Sequence, residues 1–141
     1  MTDQNQQTPQ PTPSGTLAIR QLAMPRDTNP DGDIFGGWLM SQMDIAGGIT
    51  ARAEIGGRAA TVAVDGFTFH KPVRVGDVVC CYGDVIRIGR TSITIKVEAW
   101  TIRRDNMDER VKVTEGVFTF VALDDGGNKR VIERSSGHAS T

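Results

Sequence analysis

The segment from Gly37 to about Glu54 constrains the fold more than any other part of the chain. Leu39, Met43, Ala46 and Thr50 recur at helical spacing and form one stripe, and Trp38, Ile45 and Ile49 widen it almost to the full circumference. Only Ser41, Gln42 and Asp44 interrupt the apolar surface of its first turns. A helix apolar nearly all round has to be enclosed on most sides. Eighteen residues span about 27 Å, enough to thread a whole small domain. The overlapping stretch Ile34 to Ala51 carries a single charge, Asp44, and four glycines. A central Asp costs about 2.5–3.5 kcal/mol on membrane insertion. The segment therefore reads as a helix buried inside a soluble protein, with no membrane partner.

Gly56 and Gly57 end this helix, and the chain beyond them reads as strand. Ala59 to Phe69 is rich in Val, Thr and Phe, and Val78 to Ile88 is β-branched. Ser92 to Ile102 alternates cleanly, with Ile93, Ile95, Val97 and Ala99 set against Ser92, Thr94, Lys96 and Glu98. Gly89 and Arg90 between those two strands predict a tight antiparallel connection. Val111 to Leu123 is the last long strand, and Asp125-Gly126-Gly127-Asn128 is a turn before a short terminal run. Upstream of the helix, Thr16 to Leu22 is a first strand, and Pro25 to Asp33 is turn-rich. One buried helix followed by strands at hairpin spacing is an α+β pattern, an antiparallel sheet with the helix against one face. A single sheet cannot cover so apolar a helix, so a second subunit is expected on the remaining faces.

At 141 residues the chain has room for one domain, over residues 16–133. The Gln-, Pro-, Thr- and Ser-rich residues 1–15 are too poor in apolar groups to offset their ordering entropy and read as a disordered tail, and residues 134–141 as a second flexible tail. A net charge of −1 argues against nucleic acid, which calls for a basic excess. Cys80 and Cys81 are adjacent, poor geometry for a bridge, and one should face the core while the other faces away. Free thiols and the absence of a signal-peptide pattern favour the cytoplasm.

Several segments could carry chemistry. Asp27-Thr28-Asn29-Pro30-Asp31-Gly32-Asp33 matches the first half of a calcium loop, but the count puts Trp38 where the bidentate acid must stand. An indole cannot replace that ligand, and an Asx-type turn is the better local description. Gly36 and Gly37 at the helix start let a ligand carbonyl approach the unpaired N–H groups, where the helix dipole is positive. Asp44 is two turns into the apolar helix. A carboxylate there needs donors from a neighbouring strand or subunit, or serves as a general base or nucleophile. Gly89-Arg90-Thr91-Ser92 joins a flexible turn, a cation and two hydroxyls, a set suited to a nucleotide phosphate. His138 is in the tail, and His70 at a strand end reads as a rim or core residue. One ordered imidazole assembles neither a metal site nor a Ser–His–acid triad.

Taken together these residues resemble the acyl-CoA thioesterases of the hotdog fold, most closely the bacterial YciA-like type. The resemblance runs through Leu22-Ala23-Met24-Pro25, Asp27-Thr28-Asn29, the block Gly32 to Asp44, Arg74-Val75-Gly76-Asp77, Gly89-Arg90-Thr91-Ser92 and Phe118-Thr119-Phe120-Val121-Ala122. It covers about Thr16 to Glu133. It implies an antiparallel sheet wrapped around one long central helix, and homodimers that assemble into hexamers as trimers of dimers. It further implies that Asn29 of one protomer and Asp44 of the other flank the thioester, that Gly36 and Gly37 hold its carbonyl oxygen, and that Gly89 to Ser92 meet coenzyme A. Phe35 stands where many relatives have His, and Ile45 where many have a second acid. Both changes belong to the YciA branch, which bears on acyl preference.

The chemistry fits this inventory. A thiol with a pKa near 8.5 leaves readily, so one carboxylate and oxyanion donors suffice. No cofactor or metal is needed, since coenzyme A is part of the substrate and a product. A hotdog dehydratase or hydratase would rely on a catalytic His, and His70 is in the wrong element for that. A non-catalytic acyl-CoA-binding protein would keep Gly89 to Ser92 without needing Asp44.

Overall fold

The helix expected from Gly37 begins one residue earlier. In the computed structural model, which describes residues 11–133, α1 spans Gly36–Ile55 and ends on Gly56 in the left-handed conformation, φ 69°. Glycine occupies that region without the Cβ clash other residues meet. The Gly56 N–H closes the last turn on the Arg52 carbonyl at 2.9 Å.

Five strands make one antiparallel sheet: β1 Thr16–Leu22, β2 Arg58–Phe69, β3 Val78–Ile88, β4 Ser92–Arg103 and β5 Asn106–Leu123. Their spatial order is β1-β3-β4-β5-β2, so β2 crosses over to the far edge and pairs only with β5. A 3₁₀ turn at Pro25–Asp27 precedes the helix. All five strands contact α1, which packs against one face of the sheet. The expected wrap of sheet around helix is what the chain adopts. No helix among the described residues is long and apolar enough to cross a membrane.

The alternation predicted for β4 is realised on its inner face. Ile93, Ile95, Val97 and Ala99 are wholly buried with Leu39, Met43, Ala46, Phe118 and Phe120 in the main core. Cys81 joins that core, and burial first, then its neighbour Cys80, pushes its thiol pKa up to about 12. Cys80 faces the other way, with Tyr82 and Trp100 in a second cluster on the outer face. Both thiols are free.

Several details differ from the sequence reading. β5 starts at Asn106 rather than Val111, because Arg104 to Arg110 form an exposed, largely polar hairpin that pairs with β4 alone. Such a ribbon shows no apolar period, since neither of its faces is buried. The short terminal run amounts to one bridge, Leu123 to Lys129. Thr50, placed on the buried stripe, is half-buried and returns its hydroxyl to the Ala46 carbonyl at 3.0 Å.

The expected C-terminal tail and His138 lie outside the described residues, as do residues 1–10. Ser14 is described. Its N–H donates to Glu98 Oε1 at 3.2 Å and its hydroxyl to Asp84 Oδ2 at 2.7 Å, tying the chain before β1 to the outer face. Glu98, in the polar phase of β4, is consequently only 4% exposed. Burial alone would raise its pKa, but the Trp100 indole, Ser14, Lys96 and Lys112 outweigh that and hold it below the ordinary value.

The sheet covers one side of α1 only. Ile45 is 50% exposed and Ile49 45%, and Met40 also faces out. Val62, Val64 and Phe69 on the free edge strand β2 are exposed beside them. This is the uncovered side the helix pattern implied.

Candidate active site

Asp44 lies in the middle of α1 and is half-buried. Thr61, on β2, donates its hydroxyl to Asp44 Oδ1 at 2.6 Å. Among the described residues Oδ2 has no protein donor, and Asp44 lines an open cavity of about 300 Å³ with Ile45, Gly48, Ile49, Arg52, Ala59 and Phe120. The neighbouring-strand donor required for a carboxylate in this helix is therefore Thr61. The sequence reading missed it, for Thr61 is an ordinary β-branched residue of a strand, and only the register of β2 beside the helix singles it out.

Asn29 sits in the loop between the 3₁₀ turn and α1. Its Oδ1 accepts the N–H groups of Asp31 at 3.0 Å and Asp33 at 3.1 Å, and its own N–H donates to the Asp33 carbonyl at 2.7 Å. This is the Asx-type turn expected from the sequence. The Nδ2 amide, with no acceptor among the described residues, is left as the group that can act on a ligand. No group of three or more His, Cys, Asp or Glu among the described residues could hold a metal ion.

The helix start is capped by Phe35 without a side-chain hydrogen bond. Gly36 and Gly37 lie in the first turn, where backbone N–H groups have no intrahelical acceptor. Gly36 borders a second cavity, about 330 Å³, with Ile34, Leu39, Phe69, His70 and Val73. At Gly37 a Cβ would stand 2.9 Å from the exposed Phe35 ring, which would have to shift to admit a side chain. His70 is exposed on the rim of that cavity, its Nε2 3.8 Å from Glu115 Oε2.

The turn between β3 and β4 is tight, as expected. The Gly89 N–H donates to the Ser92 carbonyl at 2.7 Å, while the carbonyls of Thr91 and Arg90 accept from Ala122 and Ile132, each at 2.8 Å. The Arg90 side chain is exposed, with no acidic partner among the described residues.

Within one protomer these pieces form two groups. Thr61 pairs with Phe120, which pairs with Ile93, so Asp44 and the turn at Gly89 to Ser92 share one end of the sheet. Asn29 and Gly36 stand toward the other end. From Gly36 to Asp44 is eight residues of helix, roughly 12 Å, too far for one carbonyl group to touch both.

The Arg74-Val75-Gly76-Asp77 motif proves structural. Asp77 is buried; its Oδ2 accepts from Arg103 Nη1 at 2.6 Å and from the Arg74 N–H at 3.0 Å, and its Oδ1 from the Arg104 N–H at 3.3 Å. The pair locks the loop before β3 to the end of β4.

Comparison with known proteins agrees with this architecture. Residues 31–106 match the family model of the thioesterase superfamily. The acyl-CoA thioester hydrolase YciA of Salmonella typhimurium is 53% identical over 121 residues, covering 84% of this chain and 91% of that protein. The hexameric thioesterase y2039 from Yersinia pestis superposes with a TM-score of 0.84 at 55% identity, covering 88% of this chain and all of the other. The hexameric hotdog fold thioesterase of Campylobacter jejuni does so with a TM-score of 0.81 at 37% identity, over 89% of this chain and 95% of that one. With its long helix packed against one antiparallel sheet, the chain has the hotdog fold and belongs to the thioesterase superfamily.

Proposed function

We propose that this protein hydrolyses acyl-CoA thioesters at a site shared by two protomers, with Asp44 of one chain and Asn29, Gly36 and Gly37 of the other. The observation that carries the reading is the Asp44 carboxylate, with one oxygen held by Thr61, the other without a protein donor among the described residues, and the residue itself lining a cavity. The 12 Å or so of helix between Gly36 and Asp44 supports the division between chains, because oxyanion donors and a base must both come within about 3 Å of the reacting group. Dimerisation through the exposed side of α1 and the free edge of β2 would bring opposite ends of two protomers together. The hexameric relatives support further assembly as a trimer of dimers.

In the reaction, Asp44 acts either as base or as nucleophile. As base it takes a proton from water while the oxygen attacks the thioester carbon. As nucleophile it forms a mixed anhydride that water then opens. In either case the carbonyl oxygen gains negative charge beside the helix-start N–H groups, where donors and dipole stabilise it. Asn29, through Nδ2, orients the carbonyl or the water. The C–S bond then breaks, and the thiolate leaves without a dedicated acid, since its pKa is near 8.5. No cofactor enters these steps. Gly89, Arg90, Thr91 and Ser92 bind the nucleotide end of coenzyme A. The free thiols fit a cytoplasmic enzyme.

The test is thiol release from a panel of acyl-CoAs of increasing chain length, followed with a thiol reagent. Wild-type protein should turn over at least one of them, and Asp44→Asn should lose at least roughly a hundredfold in kcat. Silence toward the whole panel would refute the reading.

A further inference from the structure

Beyond β5 the chain turns back on itself and is pinned at several points. Asp124 builds the reversal: its Oδ1 accepts from the Gly126 and Asn128 N–H groups at 2.9 and 2.8 Å, and its own N–H donates to the Asn128 carbonyl at 2.7 Å. Gly127, at φ 86°, takes the left-handed step this turn requires. Arg58 Nη1, on β2, donates to the Asp125 carbonyl at 2.9 Å. The returning residues are then held in their turn. The Arg130 N–H donates to the Ala122 carbonyl at 3.0 Å, and its guanidinium to the carbonyls of Leu123 at 3.1 Å and of Ile55, the last residue of α1, at 3.2 Å. Ile132 is 8% exposed in the main core, between exposed Val131 and Glu133. Its N–H donates to the Arg90 carbonyl at 2.8 Å.

That last bond is the informative one, because it falls on the turn between β3 and β4. Sheet pairing reaches the turn at Thr91, whose carbonyl accepts from the Ala122 N–H at 2.8 Å. One residue further out β5 has ended, and the Arg90 carbonyl is met by Ile132 instead. A hairpin tip beside a single strand is among the more mobile parts of a fold. Here a second segment, anchored in the core by Ile132 and on the end of α1 by Arg130, closes its other side. We propose that Ile132 is a positioning residue for coenzyme A, with Arg130 as its anchor. It holds the backbone of the turn so that the Arg90 guanidinium meets the nucleotide phosphates from a fixed base. Its part is to hold the turn, not to touch the substrate. A side chain on an ordered backbone has less freedom to lose on binding, so the clamp acts on KM and not on the chemistry at Asp44. This inference rests on the reading that Gly89 to Ser92 bind coenzyme A.

Ile132→Pro removes the donor to Arg90. It should raise KM for an acyl-CoA about fivefold, with kcat unchanged. KM for the matching thioester of N-acetylcysteamine, which has the reacting group but no nucleotide, should not move. Ile132→Val keeps the N–H and should behave as wild type. The wild-type protein gives a second reading that needs no variant to fold. Saturating coenzyme A should slow hydrogen exchange at the Ile132 amide about fivefold, because a clamp that favours binding is favoured by the ligand to the same degree. An unchanged exchange rate at Ile132 would overturn the clamp, as would an equal rise in KM for both thioesters in Ile132→Pro. So would a wild-type KM in Ile132→Pro while Arg90→Ala raises KM for the acyl-CoA alone. A wild-type KM in Arg90→Ala would instead remove the coenzyme A reading of the turn, and the clamp with it.

Discussion

The Thr61 hydroxyl on β2 donates a 2.6 Å hydrogen bond to Asp44 Oδ1 in the middle of α1, joining residues seventeen positions apart. The bond occupies one carboxylate oxygen and leaves the other, which has no protein donor among the described residues, to receive a proton or attack carbon. Thr61 is itself exposed, so little packing depends on it.

Thr61→Val, which keeps the shape and removes the donor, is expected to lower kcat about tenfold while urea unfolding shifts by under about 1 kcal/mol. Thr61→Ser should restore most of the turnover. Full activity in the valine variant would make the contact incidental.

Sharing of the site between chains can be read from mixed dimers. Asp44→Asn and Asn29→Ala should each be severely impaired alone. After subunit exchange about half of the dimers are mixed, each with one intact site and one doubly altered, so activity should recover to about a quarter of the wild-type value. No recovery after demonstrated exchange would place both residues' action within one chain.

Assembly should accompany activity. With Ile45 and Ile49 half exposed on α1, a lone protomer would leave a large apolar patch in water. Light scattering should give a dimer or a multiple of it, and Ile45→Asp should lower the mass and the turnover together. An active monomer would contradict the shared site.

The Asp77–Arg103 pair is the strongest single test of the scaffold. Asp77→Ala would leave the buried Arg103 guanidinium without its counter-charge, at a cost of about 3–5 kcal/mol. Denaturant unfolding measures this directly, and a loss below about 1 kcal/mol would show that Arg103 finds another partner.

Stability should also depend on pH through the outer face of the sheet. The carboxyl of Glu98 is held below its ordinary value against the opposing effect of burial, and that of Glu115 mainly by the Lys112 hydrogen bond. Because the folded values are depressed, their stabilisation is present above the unfolded value of 4.5 and is lost as pH falls through the folded values. Lys112 is shifted up from 10.5 by Glu115 and Glu98 in spite of burial, so its contribution is lost as pH rises through its folded value. Melting temperature against pH should decline below about 4.5, and Glu98→Gln should flatten that decline. An unaltered acid limb would remove Glu98 from the explanation.

The elements whose signal is local could be read directly from the order of residues. The apolar stripe of α1, its glycine stop at Gly56 and the alternation of Ile93, Ile95, Val97 and Ala99 depend on neighbours two to four positions away, and all took the expected form. Asp44 was legible for the same reason, as a charge in an apolar helix, and so was the Asx-type turn at Asn29. Tertiary structure decided what depends on distant partners. The chain passes β2 to the far edge beside β5, which no local period encodes, and that placement brings Thr61 to Asp44. Glu98 follows the polar phase of β4, yet Ser14 and Trp100 bury it. The exposed ribbon at the start of β5 left no apolar pattern to read. Gly47 has no space for a side chain beside the Phe120 ring and Val97 while Gly48 does, because the space around a side chain is set by strands that meet it from elsewhere in the chain.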